Sequence, residues 1–304
     1  MEKACIARLW QAAAEGLPIP ADCIVHVTTR KLASQLVFVA VWNDTCETVL
    51  QLLELLSDVL FPNGCTAHER VNGVLAYLHA NALCYAAKTG SIRTARLLLR
   101  YNADVNYDCG YGSTPMFFAA SNDQLDFVRF LVDANADLVV NDYQRKTALS
   151  CAAQFGCAGA VSTLLELKAQ ADDVDRDGWT PLLYAVNNMH VSCARLLVEA
   201  RAQVGQGPQQ YNGLVPLVCA ASQGDLAMAT LLVEAKAAVN VDNAEEYTPL
   251  WFAAKQGHIS IGQLLIGAKA DVGAPRHFTP LQEATAQGHA DMVQLLLGAK
   301  ACLS

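Results

Sequence analysis

Cysteine and histidine are the side chains of this sequence that could most readily do chemistry. Four of them offer the sulfur and nitrogen ligands that a tetrahedral zinc ion takes: Cys65, His68, His79 and Cys84. They are separated by two, ten and four residues, which is not a usual zinc-binding pattern. A chance cluster is therefore the favoured interpretation, and we expect no metal site.

A second pair, Cys151 and Cys157, could suggest redox or metal chemistry. Cys151, however, holds a position that Phe118 and Phe252 fill in similar segments, which indicates a core role. A cysteine nucleophile also needs a base beside it, and the histidines His190, His258 and His289 each follow an expected turn between two helices. The chain has no phosphate loop, nucleophile elbow or His-Glu-x-x-His motif. We expect no enzyme activity and no cofactor.

The composition of the 304 residues narrows the function further. Hydrophobic residues make up 53% of the chain, charged residues 16%, and the formal net charge is −8. Such a chain can bury a large core, so bulk disorder is excluded. A negative net charge without long Lys/Arg clusters disfavours nucleic-acid binding. The longest clean apolar run, Leu36 to Trp42, is far too short to span a membrane.

The cysteine usage and the first residues indicate a cellular compartment. The 11 cysteines are odd in number and scattered, unlike the dense framework of a small disulfide-rich secreted domain. We expect reduced thiols that act as small buried hydrophobes. Glu2, Lys3 and Arg8 interrupt any apolar stretch of signal-peptide length. These features predict a cytoplasmic or nuclear protein that is not secreted.

An internal repeat positions most of these side chains. The clearest copies read Thr-Pro followed by an apolar stretch and paired small residues, at Thr114, Thr180 and Thr248. Weaker copies share the phase, so that seven repeats start 31 to 35 residues apart, at Asn81, Thr114, Thr147, Thr180, Val215, Thr248 and Thr279. Repeats of this length are typical of solenoids, whose units bury their apolar faces only by stacking.

Each repeat reads as two short helices. Thr is a good helix N-cap, Pro suits the first helical position, and a glycine such as Gly156 or Gly257 ends the first helix. A Leu-Leu pair such as Leu264-Leu265 lies on the second helix. The period and these motifs resemble the ankyrin repeat. The resemblance implies an α-helical ankyrin-repeat solenoid of helix-turn-helix units with β-turn or hairpin connections, covering residues 75–304 with seven repeats.

Two departures from the family pattern are visible. The fourth position of the opening motif is usually His in this family, and the seven repeats instead carry Cys84, Phe117, Ser150, Leu183, Val218, Trp251 and Gln282. The residue before the alanine that follows the second helix is usually Gly. Here it is Asn or a basic residue: Asn102, Asn135, Lys168, Arg201, Lys236, Lys269 or Lys300. We expect a left-handed conformation there, at a cost of roughly 1 kcal/mol for Lys or Arg.

The N-terminal segment, residues 1–74, lacks the full repeat and has two interpretations. Ile24 to Thr28 and Leu36 to Trp42 are rich in β-formers, and a helix-capping sequence follows at Asp44. This order predicts a small mixed ββα N-terminal cap and weakly resembles the first half of a ubiquitin-like fold. Alternatively, Leu36 to Glu54 aligns loosely with Pro181 to Glu199, which would make it a decayed ankyrin unit. We favour the ββα cap slightly.

The informative surface of the expected solenoid lies at the turn tips and at the ends of the first helices. The residue before each opening Thr is apolar or aromatic in four successive repeats, and amides lie near this column. Aromatic anchors among adaptable amides are typical of binding hot spots. The predicted partner-binding residues are Tyr111, Phe155, Trp179, Asn187, Asn188, Leu214, Gln223, Tyr247, Gln256 and Phe278. Alternatively, the aromatic rings stack on one another and stiffen the turns.

The resemblance implies a non-catalytic protein–protein interaction module, a scaffold or adaptor that binds a partner protein on the concave and turn-tip face. The sequence leaves the oligomeric state open. The alternative function is a substrate-recruiting subunit, or a fragment of a larger enzyme or ubiquitin-pathway assembly. Fold alone does not decide between these roles.

Overall fold

The computed structural model describes residues 2–15, 17–18, 20, 36, 40, 82–100, 103–205, 215–241, 247–274 and 278–303. The chain divides into two compact halves, the N-terminal half Met1–Tyr143 and the C-terminal half Gln144–Ser304. Across the described ranges, every regular element is an α-helix. This confirms the predicted helical class.

The N-terminal half contains five helices in its described part. They are α1 (Glu2–Glu15), α2 (Ala82–Thr89), α3 (Ile92–Arg100), α4 (Pro115–Ser121) and α5 (Leu125–Asp133). Helices α2 and α3 form one helix-turn-helix pair, and α4 and α5 form the next. The first helices α2 and α4 pack on each other, and so do the second helices α3 and α5.

The C-terminal half continues the same pattern through five further pairs. Its described helices are α6 (Ala148–Phe155), α7 (Ala158–Glu166), α8 (Pro181–Asn187), α9 (Val191–Glu199), α10 (Pro216–Gln223), α11 (Leu226–Glu234), α12 (Pro249–Gln256), α13 (Ile259–Gly267), α14 (Pro280–Ala286) and α15 (Ala290–Leu303). Each first helix packs on the next first helix, and each second helix on the next second helix. Because neighbours in sequence are neighbours in space, the predicted solenoid architecture is confirmed.

The helix ends follow the predicted capping chemistry. The side chains of four N-cap threonines accept a hydrogen bond from the backbone N–H three residues on: Thr147, Thr180, Thr248 and Thr279. At the other end, Gly156 and Gly257 adopt the left-handed conformation, with φ of 75° and 71°. These caps satisfy backbone groups that a short helix leaves unpaired, so each first helix stops after two turns.

The core lies between the stacked pairs. Small residues of the first helices are fully buried, as at Ala152-Ala153 and Ala253-Ala254. Small side chains let the neighbouring first helix approach closely. Leucines of the second helices such as Leu232 and Leu265 are also fully buried, so the second helices contribute the larger apolar side chains.

The expected left-handed backbone before the alanine that follows the second helix is present in five repeats, whereas Lys300 is helical because α15 continues to Leu303. The φ angle lies between 63° and 69° at five non-glycine positions: Asn135, Lys168, Arg201, Lys236 and Lys269. The basic side chains there are exposed, close to a helix C-terminus that favours positive charge. That attraction offsets part of the cost of the conformation.

The predicted ββα cap is not supported, and the segment that would form it lies almost wholly outside the described residues. Only Leu36 and Ala40 of the second expected strand are described, and both are helical and fully buried. Residues four apart share one face of a helix, whereas β-branched and aromatic composition alone suggested a strand. The expectation was wrong at these two residues because burial on one face also fits a helix.

One pair of cysteines departs from the expectation of reduced thiols. Cys84 on α2 and Cys109 in the following turn form a disulfide, with their Cα atoms 6.9 Å apart. Both residues are buried. The bond links the first helix of one repeat to the turn that opens the next.

Candidate functional site

The turn before α8 builds a first aromatic cluster in the C-terminal half. The ring centroids of Trp179 and Tyr184 are 5.1 Å apart. The carboxylate of Asp175 accepts hydrogen bonds from the backbone N–H groups of Asp177 and Trp179, each at 2.9 Å, and from the hydroxyl of Tyr184. Trp179 is consequently half-buried rather than fully exposed. The buried Asp175 carboxylate thus holds both the turn before α8 and the Tyr184 ring on α8 in place.

A second aromatic cluster surrounds the start of α12. Tyr247 stacks on Trp251 with centroids 3.9 Å apart, and Trp251 meets Phe252 edge-on at 5.1 Å. The Lys255 ammonium lies 5.0 Å from the centre of the Trp251 ring, a cation–π distance. Trp251 is buried, and its indole N–H has no hydrogen-bond partner among the residues that the structure describes. Tyr247 is half-buried by these contacts.

Two predicted aromatic residues are more exposed than the clustered ones. Phe155, at the end of α6, has 59% of its surface exposed, and Phe278, before α14, has 39%. Leu214, the remaining member of the turn-tip column, lies outside the described residues. Tyr111 belongs to the N-terminal half, where it is 82% exposed at a φ of 59°. Tyr111 therefore belongs to the N-terminal half, and the other described residues of the predicted set belong to the C-terminal half.

The predicted amide side chains lie at the ends of three first helices. Gln223 donates from Nε2 to the backbone carbonyl of Asn187 at 2.8 Å, which joins α8 to α10. Asn188 donates to the carbonyl of Tyr184 at 2.8 Å. Gln256 is exposed at the end of α12. Because Gln223 and Asn188 use their N–H groups internally, their carbonyl oxygens are left to accept hydrogen bonds from a partner.

Charge is nearly absent from the first helices of the C-terminal half. Over α6, α8, α10, α12 and α14 the charged residues are Lys255 and Glu283. Glu283 is buried and accepts a hydrogen bond from Gln287 at 2.9 Å. We call the first helices together with the turn-tip residues Lys146, Trp179, Tyr247 and Phe278 the turn-tip surface. It is largely uncharged and partly aromatic, which suits contact with another protein.

Cys219 on α10 shows how closely this surface is packed. Its thiol lies 3.8 Å from the Asn187 side-chain oxygen, to which it donates. Burial raises the pKa of Cys219 from 9.0 to about 11. A thiol that is not ionised at neutral pH is a poor nucleophile, so this cysteine is a packing residue.

The histidines after the inter-helix turns have structural contacts. His190 donates from Nε2 to the carbonyl of Gln154 at 3.1 Å, and His289 to that of Lys255 at 3.0 Å. Among the described side chains, no group of three metal-ligating residues comes together. Cys65, His68 and His79 of the cluster considered above lie outside the described residues. No helix in the described part is both long and apolar enough to cross a membrane.

The residues that hold the aromatic rings are not among the predicted site residues. Tyr184 and Trp251 are the platforms on which Trp179 and Tyr247 rest. A usable sequence signal exists, because an aromatic residue before the Thr and another three or four residues after it lie on adjacent parts of the helix start. Asp175, five residues before Thr180, holds the first of these ring pairs through its hydrogen bonds.

Comparison with known proteins identifies the repeat. A family model described as "Ankyrin repeats (3 copies)" matches residues 37–142, 139–207 and 217–303. The first match begins inside the segment 1–74, which supports the interpretation of part of that segment as a decayed repeat. A ubiquitin-like N-terminus is not confirmed, and the boundary at residue 75 stays a prediction.

Individual relatives match parts of the chain. Putative ankyrin repeat protein FPV223 of Fowlpox virus (strain NVSL) is 30% identical over 134 residues, which are 44% of this chain and 94% of the viral protein. Probable E3 ubiquitin-protein ligase XBOS32 of Oryza sativa subsp. japonica is 29% identical over 119 residues, 38% of this chain. The match spans only 24% of the rice protein.

A solved structure shares the fold. The ankyrin repeat domain of Bcl-3, described as a unique member of the IkappaB protein family, superposes with a TM-score of 0.61 at 23% identity. The similarity covers 70% of this chain and 97% of the Bcl-3 domain. At this identity the likeness establishes the architecture of stacked helix pairs.

Proposed function

Because the chain belongs to the ankyrin-repeat family, whose repeats generally serve as protein–protein interaction modules, we propose that it is a non-catalytic scaffold or adaptor. It binds a partner protein on the turn-tip surface of the C-terminal half. We propose the cytoplasm or nucleus as its location.

The observation that carries this proposal is the exposure of aromatic side chains on a surface with almost no charge. Phe155 and Phe278 are exposed, while Trp179 and Tyr247 are half-buried in the turn tips. Large exposed apolar patches on a soluble domain usually have a use. Rigid aromatic rings bind at a low entropic cost, since their internal contacts already fix them.

The test compares variants of the full chain. We expect the double variant Phe155→Ala/Phe278→Ala to lose partner capture from a cell extract while its melting temperature stays within a few degrees of wild type. Truncation of a true hot spot costs at least about 2 kcal/mol, or close to thirtyfold in affinity, which calorimetry with the captured partner would measure.

The matched control is Leu226→Ala/Leu297→Ala. Both residues are exposed apolar side chains, 42% and 51% exposed, but they lie on second helices outside the turn-tip surface. The control should capture the partner as wild type does. Equal loss in both double variants, or no loss in either, would contradict binding at the turn-tip surface.

The second candidate, a substrate-recruiting part of a ubiquitin-pathway assembly, is supported by the name of the rice relative. Under this alternative, the captured partner would gain ubiquitin in a reconstituted reaction that contains the chain and lose that modification when the chain carries Phe155→Ala/Phe278→Ala. A plain adaptor would leave ubiquitylation unchanged.

A further inference from the structure

Two adjacent turn tips at the start of the C-terminal half carry three positively charged side chains, two of which are exposed. The backbone N–H of Arg176 donates to the carbonyl of Gln144 at 2.8 Å. This bond holds the turn before α6 beside the turn before α8. Arg145, Lys146 and Arg176 are therefore brought close together, and both arginines are exposed.

The acidic residues of these two tips equal the cations in number but are less exposed than the two arginines. Asp175 is only 6% exposed, and its carboxylate is occupied by two backbone N–H groups and the Tyr184 hydroxyl. Asp142, five residues before Thr147 as Asp175 is before Thr180, and Asp177 are the other acidic residues of the tips, and both are half-buried. The exposed charges of the two tips, Arg145 and Arg176, are therefore both positive.

Arg145 occupies a strained position. Its φ is 60°, and the equivalent residues of the neighbouring turns, two before the opening Thr, are Gly112 and Gly178 with φ of 82° and 81°. An L side chain is disfavoured in this conformation. Strained residues persist where the surroundings over-determine them and are frequent at binding sites, so an arginine at a glycine position indicates a role for its side chain.

Apolar surface adjoins the charge. The Lys146 ammonium lies 4.3 Å from the centre of the Tyr184 ring and donates to the Gln154 side chain. Phe155, directly after Gln154, is exposed. A ligand that meets the cations would therefore also reach aromatic rings.

We propose that Arg145, Lys146 and Arg176 bind an acidic segment of the partner protein, with two or more carboxylates placed next to an apolar side chain. This inference rests on the proposed function and adds the chemistry of the partner. Guanidinium groups pair with carboxylates through two parallel hydrogen bonds, and the neighbouring Phe155 and Tyr184 rings accept the apolar side chain. The proposed cation site ends at the first helices next to these residues, which carry almost no charge.

The test uses the full chain and a fluorescein-labelled synthetic peptide of aspartate and glutamate around one central phenylalanine. Anisotropy titrations should show binding that weakens as salt is raised, because exposed ion pairs are screened. The same peptide with asparagine and glutamine in place of the acids should bind at least about tenfold more weakly. Equal binding of the two peptides would overturn the proposal.

Two substitutions separate charge from folding. Arg145→Gly/Arg176→Gln should weaken acidic-peptide binding by about tenfold or more, while the Gly relieves the strained backbone and preserves the melting temperature. Arg201→Gly is the matched control, since it also removes an exposed arginine from a left-handed position, with φ of 65°. The control should bind the peptide as wild type does. Equal weakening by the control would point to net charge alone and overturn the site.

Two further results distinguish this inference from the proposed function. Single-stranded DNA of matched charge that binds as tightly as the acidic peptide would overturn the choice of a protein segment. If Arg145→Gly/Arg176→Gln keeps both peptide and partner binding while Phe155→Ala/Phe278→Ala loses partner capture, the acidic segment is wrong and the proposed function stands. If neither double variant loses partner capture, the proposed function fails, and the peptide titration still decides the cation site.

Discussion

His190 donates a hydrogen bond from Nε2 to the backbone carbonyl of Gln154, 3.1 Å away in the preceding repeat. The ring also fills the space beside Gly156, where an added Cβ would lie 2.7 Å from the imidazole. His289 makes the same bond to Lys255. In the N-terminal half, Gln124 donates from Nε2 to the carbonyl of Lys88 at 3.4 Å. One side-chain donor thus ties adjacent inter-helix turns together in both halves.

This relationship predicts that His190→Gln is tolerated and His190→Ala is not. The alanine variant leaves the Gln154 carbonyl without its donor and should lose about 1–2 kcal/mol of unfolding free energy. Glutamine already performs this role at position 124, so His190→Gln should lose less than half of that. Urea denaturation followed by circular dichroism measures both, and equal losses would show that the hydrogen bond contributes nothing.

The left-handed basic positions predict a stabilising substitution. Lys236→Gly should raise the unfolding free energy by about 0.5 kcal/mol, because glycine removes the penalty at a φ of 64° and this gain exceeds its entropic cost. Lys255→Gly, inside α12, is the control and should lower it by about 1 kcal/mol. A loss of stability in both variants would mean that the Lys236 side chain contributes more than the strain costs.

The different burial of two leucines predicts that the same Leu→Ala substitution has unequal effects on stability. Leu265 is fully buried, whereas Leu297 is 51% exposed. Leu265→Ala should cost about 2–5 kcal/mol because it leaves a cavity between stacked helices, and Leu297→Ala about 0.5 kcal/mol or less. Calorimetric melting of both variants checks this, and similar melting temperatures would contradict the packing between α13 and α15.

Cys219 predicts a pH dependence of stability. Its pKa is raised by burial from 9.0 to about 11, so the folded state holds the proton more tightly than the unfolded chain. The resulting stability is complete below pH of about 9 and is lost as pH rises toward 11. Between pH of about 8 and 10, the unfolding free energy of the wild type should fall by about 1 kcal/mol more than that of Cys219→Ala. If the unfolding free energies of the two proteins change with pH in the same way, the folded thiol has the same pKa as the unfolded one.

The disulfide predicts sensitivity to reduction. Cys84 and Cys109 are separated by 25 residues in sequence, and closing such a loop stabilises a fold by about 3.5 kcal/mol in the chain-entropy model. A reductant should therefore lower the denaturation midpoint of the oxidised wild type and leave Cys84→Ala unchanged. Peptide mapping without reductant must recover the linked pair. In a reducing cytoplasm the same residues are expected as thiols.

The sequence predicted features that depend on one repeat at a time. Thr180 and Pro181 indicated a helix start, and the Leu-Leu pairs indicated core positions. The spacing could not show that Leu265 is deeper than Leu264, which is half-buried, because that depends on the crossing of neighbouring second helices.

Contacts that join two repeats could not be predicted from the sequence. The Cys84–Cys109 bond and the contact of Arg176 with Gln144 each depend on how one turn lies against its neighbour. The half-burial of Trp179 has a similar cause, since the partner ring of Tyr184 approaches only once the turn has closed around Asp175.

The pairwise packing of helices within the C-terminal half has a mechanical consequence. Helix α15 contacts α13 and its own pair partner α14, and each earlier pair likewise contacts its sequence neighbours. Tension applied along the stack would therefore separate one helix pair at a time and leave its neighbours folded, because the helix contacts described in this half join neighbouring pairs. Extension would proceed in steps of one repeat. On release, each repeat would refold against the exposed face of the pair before it.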